Sequence, residues 1–338
     1  MNTRAPAVEA RQLIKTYPGD VTALNGLDIT VEPGTVFGLL GPNGAGKSTT
    51  VKILTTLARP DSGAATVAGQ DVLRHPDRVR RAIGVVAQNS GADPVATGRE
   101  NLRLQGRLHG VKGAALDHRV TELLDRFSLS DAANRQVKGY SGGMRRRLDV
   151  ALGLVHRPEV LFLDEPTTGL DPQARSAMWD EIGRLAGEEG LTILLTTHYL
   201  EEADRLAERV AIVDRGRVVV EGTPDALKGE LRGDAVHLEL RATVGEAGRT
   251  LLGSALGGLP GVHEVLMDGR RVSVRADDGA AAMPALLGAL ERAGVGVGAA
   301  TVARPSLDDV YLRYTGRRYT ESTETVDTEE LVPAGGTR

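Results

Sequence analysis

The chain of 338 residues contains no cysteine, which excludes disulfide bonds, thiolate nucleophiles, iron–sulfur clusters and cysteine-based zinc sites. Long apolar runs are also missing. The longest, such as Val160–Leu163 and Leu191–Leu195, fall far below the ~18 residues that a membrane span needs. Met1–Pro6 is polar and lacks the features of a signal peptide. We therefore expect a cytoplasmic protein, or a peripheral one on the cytoplasmic face of the cell membrane.

The chain also lacks an excess of basic residues. It carries 41 Lys and Arg against 45 Asp and Glu, a net charge of −4, and the acidic excess lies in residues 321–338. Residues 1–320 contain 40 residues of each sign. The run Arg145–Arg147 is too short to form the basic face by which nucleic acid is bound. The composition therefore predicts no nucleic-acid partner.

The length suggests two domains, since domains usually contain ~100–200 residues. Through residue 228, short apolar strands alternate with helical patterns, which predicts an α/β domain. Residues 97–138 show helical spacing with little strand signal, so we expect a helical insert over about 89–156. Residues 229–316 follow the order β-α-β-β-α-β, typical of a small ferredoxin-like α+β domain. Residues 317–338 are polar and acidic and are predicted to be a disordered tail.

Residues 41–48 read GPNGAGKS and fit the phosphate-loop pattern G-x-x-x-x-G-K-[ST] after the apolar strand Thr35–Leu40. Glycines let backbone N–H groups approach phosphate oxygens, Lys47 can reach the β- and γ-phosphates, and Ser48 can ligate Mg²⁺. The alternative is an ordinary glycine turn, since the chain contains 42 Gly. Only six of its 41 basic residues are Lys, however, so a chance match that includes the lysine is rare. The predicted nucleotide-binding loop comprises Gly41, Pro42, Asn43, Gly44, Ala45, Gly46, Lys47, Ser48 and Thr49.

The apolar run Val160–Leu163 ends in Asp164 and Glu165. In a phosphate-loop protein, an Asp in this position holds Mg²⁺, usually through water. The second carboxylate can polarise an attacking water as a general base. Without a phosphate loop upstream, the same pattern would indicate only a buried strand followed by a charged turn.

A second anion site is predicted by Ser141-Gly142-Gly143. Ser141 can cap the helix that follows, and the glycines leave its backbone donors bare. Within one domain a second anion site is redundant, but it is useful if it closes over a nucleotide held by another subunit.

With these motifs in this order, residues 1–228 resemble an ATP-binding-cassette (ABC) nucleotide-binding domain. The resemblance implies that Gln88 contacts Mg²⁺ or the attacking water, and that His198 contacts the γ-phosphate and orients Glu165. It also implies that Asp171 pairs across a dimer interface and that Tyr17 stacks on adenine, although Tyr17 could equally be a core residue. The implied catalytic residues are Lys47, Gln88, Glu165 and His198, and the implied metal site is Ser48, Gln88 and Asp164.

Four segments narrow the resemblance to the ATP-binding subunits of daunorubicin/doxorubicin-resistance exporters: YSGGMRRRLD (140–149), LFLDEPTTGLDP (161–172), YLEEAD (199–204) and SLDDVYLRYTG (306–316). Tyr140 and Met144 depart from the Leu and Gln that are common in the wider family. The resemblance implies an ATPase that works as a head-to-tail homodimer with composite ATP sites. A separate membrane permease would carry a drug or another hydrophobic compound.

Other functions remain open at this stage. The exported substrate could be a lipid, a glycan or an ion. A non-transport ABC ATPase usually has two cassettes or a long coiled-coil insert, whereas this chain has one cassette and no sustained heptads. A module that binds ATP without hydrolysing it is the third alternative, and the presence of Asp164, Glu165 and His198 argues against it.

Overall fold

The computed structural model describes residues 5–231 and 233–316. The predicted acidic tail, residues 317–338, lies outside the described residues.

The first part of the chain alternates strands and helices, as predicted. The strands are β1 (Val8–Tyr17), β2 (Val21–Val31), β3 (Val36–Leu40), β4 (Ser62–Val67), β5 (Gln70–Asp71), β6 (Ile83–Val86), β7 (Val160–Asp164), β8 (Thr192–Thr197), β9 (Arg209–Asp214) and β10 (Arg217–Gly222). The helices are α1 (Lys47–Leu54), α2 (Pro76–Ala82), α3 (Gly98–Leu108), α4 (Gly113–Arg126), α5 (Gly142–Leu154), α6 (Pro172–Gly187), α7 (Leu200–Leu206) and α8 (Pro224–Gly229). The patterns in the sequence predict neither β5 nor α2.

A six-stranded sheet in the order β10-β9-β3-β8-β7-β6 forms the centre of this part. Its strands are parallel except β10, which pairs antiparallel with β9. Alternate residues of β7 enter different cores: Leu161 and Leu163 join the core beneath the helical insert, while Val160 and Phe162 join the core on the opposite face. A strand buried on both faces needs an unbroken apolar run, which explains the sequence of β7.

The parallel arrangement brings the carboxyl ends of four strands to one edge of the sheet. The phosphate loop follows β3, Gln88 follows β6, Asp164 ends β7, and His198 follows β8. In open α/β sheets this edge is where ligands bind. Against the central sheet lies an antiparallel sheet in the order β2-β1-β4-β5.

The predicted helical insert is present as α3, α4 and α5, with 3-10 turns at Ser130–Ala132 and Val137–Gly139. Helix α3 begins with a capping box formed by Thr97 and Glu100. The insert is joined closely to the central sheet where α5 passes β6. A Cβ on Gly84 of β6 would lie 2.2 Å from the carbonyl oxygen of Gly153, so only glycine permits this approach.

The accessory part of the chain has the predicted ferredoxin-like order. It contains β11 (Asp234–Leu240), α9 (Glu246–Gly257), β12 (Val262–Asp268), β13 (Arg271–Ala276), α10 (Gly279–Arg292) and β14 (Val297–Ala303). The strands form an antiparallel sheet in the order β12-β13-β11-β14, and its core is separate from the other two.

The last helix, α11 (Leu307–Thr315), returns to the first part of the chain. Leu307, Val310 and Tyr311 are buried in the same core as the helical insert. Tyr314 Oη donates a hydrogen bond of 2.8 Å to Glu230 Oε2, just beyond α8. Helix α11, which falls within the predicted accessory domain of residues 229–316, therefore packs against the first part of the chain. Among the described residues, no helix is both long and apolar enough to cross a bilayer.

Candidate active site

The phosphate loop is held in a conformation that glycine favours. Gly44 and Gly46 have φ angles of 80° and 112°, in the left-handed region. A Cβ on Gly46 would lie 2.5 Å from the Ala23 carbonyl oxygen, so β2 closes the loop from behind. Helix α1 begins at Lys47 without a side-chain cap and without acidic residues in its first turn. Its N-terminal N–H groups are therefore suited to bind an anion.

Lys47 is buried at the start of this helix, with 4% of its side chain exposed. Its Nζ donates to the carbonyl oxygens of Gly41 (2.7 Å) and Pro42 (3.2 Å), so the ammonium group lies across the loop. Burial lowers the pKa of Lys47, and the charges of Glu165 and Asp164 oppose that shift. Lys47 Nζ lies 4.0 Å from Glu165 Oε1, which links the loop to the carboxylate pair.

The side chain of Asp164 faces that of Ser48, the residue after Lys47. Ser48 Oγ donates to Asp164 Oδ1 over 3.5 Å, and Thr196 Oγ1 donates to the same oxygen. Hydroxyl and carboxylate oxygens are the ligand types that Mg²⁺ prefers. Ser48 and Asp164 therefore fit a Mg²⁺ site.

Glu165 is the residue on which the site converges. Its φ of 48° lies in the left-handed region, and its N–H donates to the Thr196 carbonyl oxygen over 3.1 Å. Gln88 Nε2 and Thr168 Oγ1 each donate to Oε2 over 3.3 Å, while His198 Nδ1 lies 3.1 Å from Oε1. Strained backbone of this kind persists where the surroundings fix it, often at active sites.

The surroundings of Glu165 favour its ionised form. Burial alone would raise the pKa of this carboxyl, but contacts with His198, Lys47 and Thr168 outweigh it and hold the pKa below its usual value. A carboxylate kept ionised can accept a proton from water, as a general base must.

His198 is held in place from its other side. The Tyr199 ring lies 4.2 Å from the His198 ring, and the Arg175 guanidinium stacks 4.6 Å from the Tyr199 ring. Only 14% of the His198 side chain is exposed, so the ring is largely enclosed.

Arg146 is a buried residue of the site that sequence reasoning missed. It belongs to the short basic run, yet only 7% of it is exposed. Its guanidinium donates to the carbonyl oxygens of Ala87 (2.6 Å), Asp164 (3.0 Å), Glu165 (3.1 Å) and Pro166 (2.7 Å). No signal in the sequence marks it, because Arg145 and Arg147 flank it and its acceptors are backbone carbonyl oxygens.

The remaining predicted residues are not brought to Glu165 by any contact within the described part of the chain. Ser141 caps α5 as predicted, its Oγ accepting from the Met144 N–H at 3.2 Å. Asp171 caps α6, accepting from the Ala174 N–H at 2.9 Å, and is exposed. Tyr17 is half-buried at the end of β1, with Lys15 Nζ 5.6 Å from its ring. Their roles toward nucleotide stay predictions.

The other loop residues surround the phosphate-binding turn. Asn43 and Gly44 are exposed, and Thr49 is half-buried on α1. Ala45 is buried, and its carbonyl oxygen accepts from the Gly216 N–H at 2.9 Å. The loop is thus anchored to the β9–β10 turn while its tip stays open.

Comparison with known proteins agrees with this geometry. Residues 24–168 match the family described as ABC transporter, and residues 222–315 match the family described as ATP-binding protein DrrA1-3-like, C-terminal domain. Among solved structures, the ATP-binding subunit of an ABC transporter aligns with a TM-score of 0.60 at 29% identity, covering 66% of this chain and 92% of the other. The dimeric post-hydrolysis cassette MJ0796, bound to ADP and Pi, aligns with a TM-score of 0.59 at 26% identity, covering 64% and 98%.

Fold and site together define a nucleotide-binding ATPase of the ABC class. Daunorubicin resistance ATP-binding protein DrrA3 of Streptomyces coeruleorubidus is 50% identical over 88% of this chain and 92% of its own length. Doxorubicin resistance ATP-binding protein DrrA of Mycobacterium tuberculosis is 44% identical over 91% and 93%. The chain belongs to this family of daunorubicin/doxorubicin resistance ATP-binding proteins.

Proposed function

We propose that this protein is the ATP-hydrolysing subunit of an exporter, and that it acts as a head-to-tail homodimer on a separate membrane permease. The observation that carries the proposal is the convergence of Lys47, Gln88 and His198 on the Glu165 carboxylate. Each of these residues follows the carboxyl end of a different strand, the edge at which open α/β sheets bind ligands.

Within each site, Lys47 and the loop N–H groups bind the phosphates of ATP. Glu165, ionised and oriented by His198 and Gln88, accepts the proton of the attacking water. Ser48 and Asp164 would hold Mg²⁺, with Gln88 nearby, and the ion would supply positive charge against the phosphates of ATP. Tyr17 stacks on the adenine.

The second wall of each site comes from the other subunit. The N-terminus of α5 is exposed at Ser141 and Gly142 and half-buried at Gly143, and within the described residues no hydrogen bond joins it to the phosphate loop of its own chain. In a head-to-tail pair this helix end faces the partner's ATP, and Asp171 lies beside the interface. The solved structures of the similar cassette MJ0796 are dimeric, which supports a dimer of this chain.

The export function rests on the relatives. Daunorubicin and doxorubicin resistance proteins at 44–50% identity favour a drug or another hydrophobic compound as the substrate. A glycan-type substrate is the second candidate, because the Nod factor export ATP-binding protein I of Cupriavidus pinatubonensis is 40% identical over 92% of this chain. In either case the protein lies peripherally on the cytoplasmic face of the membrane, beside its permease.

Steady-state ATP hydrolysis by the purified protein tests the enzymatic part. We expect hydrolysis that requires Mg²⁺ and stops in EDTA, and a Ser48→Ala variant that needs more Mg²⁺ for half-maximal rate. Ser254→Ala, which changes an exposed serine of α9, is the matched control and should behave as the parent. Hydrolysis that is unaffected by EDTA, or absent altogether, would overturn the proposal.

A further inference from the structure

Helix α5 is attached to the catalytic residues of its own subunit through Arg146. The Arg146 guanidinium donates four hydrogen bonds to backbone carbonyls. Three of these carbonyls lie in the turn Asp164–Pro166, and the fourth is that of Ala87, next to Gln88. Hydrogen bonds from a charged donor are stronger than neutral ones and gain further strength where water is excluded. The guanidinium therefore joins two segments that carry catalytic side chains to one helix.

Asp149, one turn further along α5, makes a second attachment. It is 7% exposed, and its Oδ1 accepts from Ser90 Oγ at 2.8 Å and from the Gly91 N–H at 3.2 Å. The segment around Gln88 is thus held by α5 on both sides, at residue 87 by Arg146 and at residues 90–91 by Asp149.

The other end of the same helix is exposed. Ser141 and Gly142 lie at its N-terminus, about 7 Å along the axis from Arg146 at 1.5 Å per residue. A helix transmits displacement over that distance as a rigid element. A change in the turn Asp164–Pro166 therefore reaches the helix N-terminus through Arg146.

We propose that Arg146 is the positioning residue that couples the two ATP sites of the dimer. This rests on the proposed head-to-tail function, in which the carboxylate turn of one subunit serves one site and the N-terminus of its α5 serves the other. Arg146 does not touch ATP. It sets the position of α5 according to the state of Gln88 and Glu165, so that ATP in one site raises the affinity of the second.

The dependence of the hydrolysis rate on ATP concentration tests this coupling in the full-length protein. Two coupled sites give a Hill coefficient between 1 and about 2, the number of sites. In Arg146→Lys, which keeps the charge but cannot span four carbonyls, we expect the coefficient to fall to about 1. Arg147→Lys is the matched control: Arg147 lies on the same helix and donates to the Phe127 carbonyl oxygen (2.9 Å), away from the site. It should keep the parent's coefficient.

Thermal unfolding shows whether each variant is folded, and Arg146→Gln replaces Arg146→Lys if the latter is not. The inference is overturned if a folded Arg146 variant keeps the parent's coefficient, or if Arg147→Lys loses it equally. If the parent hydrolyses ATP with a Hill coefficient of 1, the coupling inference is overturned but the proposed function stands. A parent that does not hydrolyse ATP at all overturns the proposed function as well, so the two failures are distinguishable.

Discussion

His198 Nδ1 and Glu165 Oε1 lie 3.1 Å apart across the carboxyl ends of two neighbouring parallel strands, β8 and β7. The same carboxylate is reached by Gln88 from β6 and by Lys47 from the phosphate loop. Glu165 is therefore the point where the nucleotide-binding loop, the loop after β6 and the histidine after β8 meet.

Replacing Glu165 by Gln should leave ATP binding intact and lower the rate of hydrolysis by about 100-fold or more, because the amide cannot accept the proton of water. ATP affinity and turnover are measured separately, by equilibrium binding and by phosphate release. Glu188→Gln, at an exposed position after α6, should hydrolyse ATP at the parent's rate. Near-normal turnover by Glu165→Gln would exclude Glu165 as the base.

Replacing His198 by Ala should lower kcat by about 100-fold with little change in KM, because a misplaced Glu165 costs rate rather than affinity. His198→Gln, which retains a hydrogen-bonding group, should recover part of kcat. The exposed His75 provides the control, and His75→Ala should match the parent. An equal loss in the Ala and Gln variants would contradict an orienting role.

Replacing Asp309 by Ala should destabilise the protein by about 3–5 kcal/mol, since it leaves the buried Arg275 charge unpaired. Arg275 Nη2 lies 3.2 Å from Asp309 Oδ2, and both side chains are at most 6% exposed. Asp309 also forms the capping box of α11 with Ser306. Chemical denaturation measures the change. Asp268→Ala, at an exposed position of β12, should change stability far less. An equal effect of the two substitutions would argue against the buried ion pair.

Lowering the pH from about 6.5 to about 4 should reduce the free energy of unfolding through His156. Burial lowers the pKa of His156 from 6.5 to about 4, helped by the His109 ring stacked 3.7 Å away. Between these values the unfolded chain binds the proton and the folded chain does not, so stability falls as pH falls and levels off below 4. His156 Nε2 lies 2.9 Å from the Ile83 carbonyl oxygen. His156→Gln keeps a donor there but does not titrate, so its pH dependence should be flatter; an unchanged profile would exclude His156.

The sequence was sufficient to predict which side chains meet at this edge of the sheet, because they belong to short motifs at the ends of apolar strands. Lys47, Asp164 and His198 each follow such a run, and the parallel sheet then brings them to one edge. The order of strands and helices in the accessory part was predicted from strand and helical patterns in the same way.

Arg146 could not be assigned in this way, because its partners are carbonyl oxygens that any sequence supplies. Their position depends on how α5 packs on β6 and β7, which is a tertiary property. The short helix α2 was missed for a different reason. Pro76 at its first turn and Arg80 and Arg81 in its last are helix-end signals, but seven residues are too few to show a clear apolar period.

The claim that each ATP site is built from two subunits is tested most directly by mixing two defective variants. Lys47→Ala removes the phosphate contact of the loop. Gly142→Asp places a negative charge at the N-terminus of α5, where a Cβ meets nothing within 4 Å, so the variant should fold. Both are made in the Glu165→Gln background, and ATP-driven dimerisation is followed by size-exclusion chromatography. We predict no dimer from either variant alone and a dimer from the mixture, which contains one intact composite site. A mixture that stays monomeric, while Glu165→Gln alone dimerises, would contradict the account.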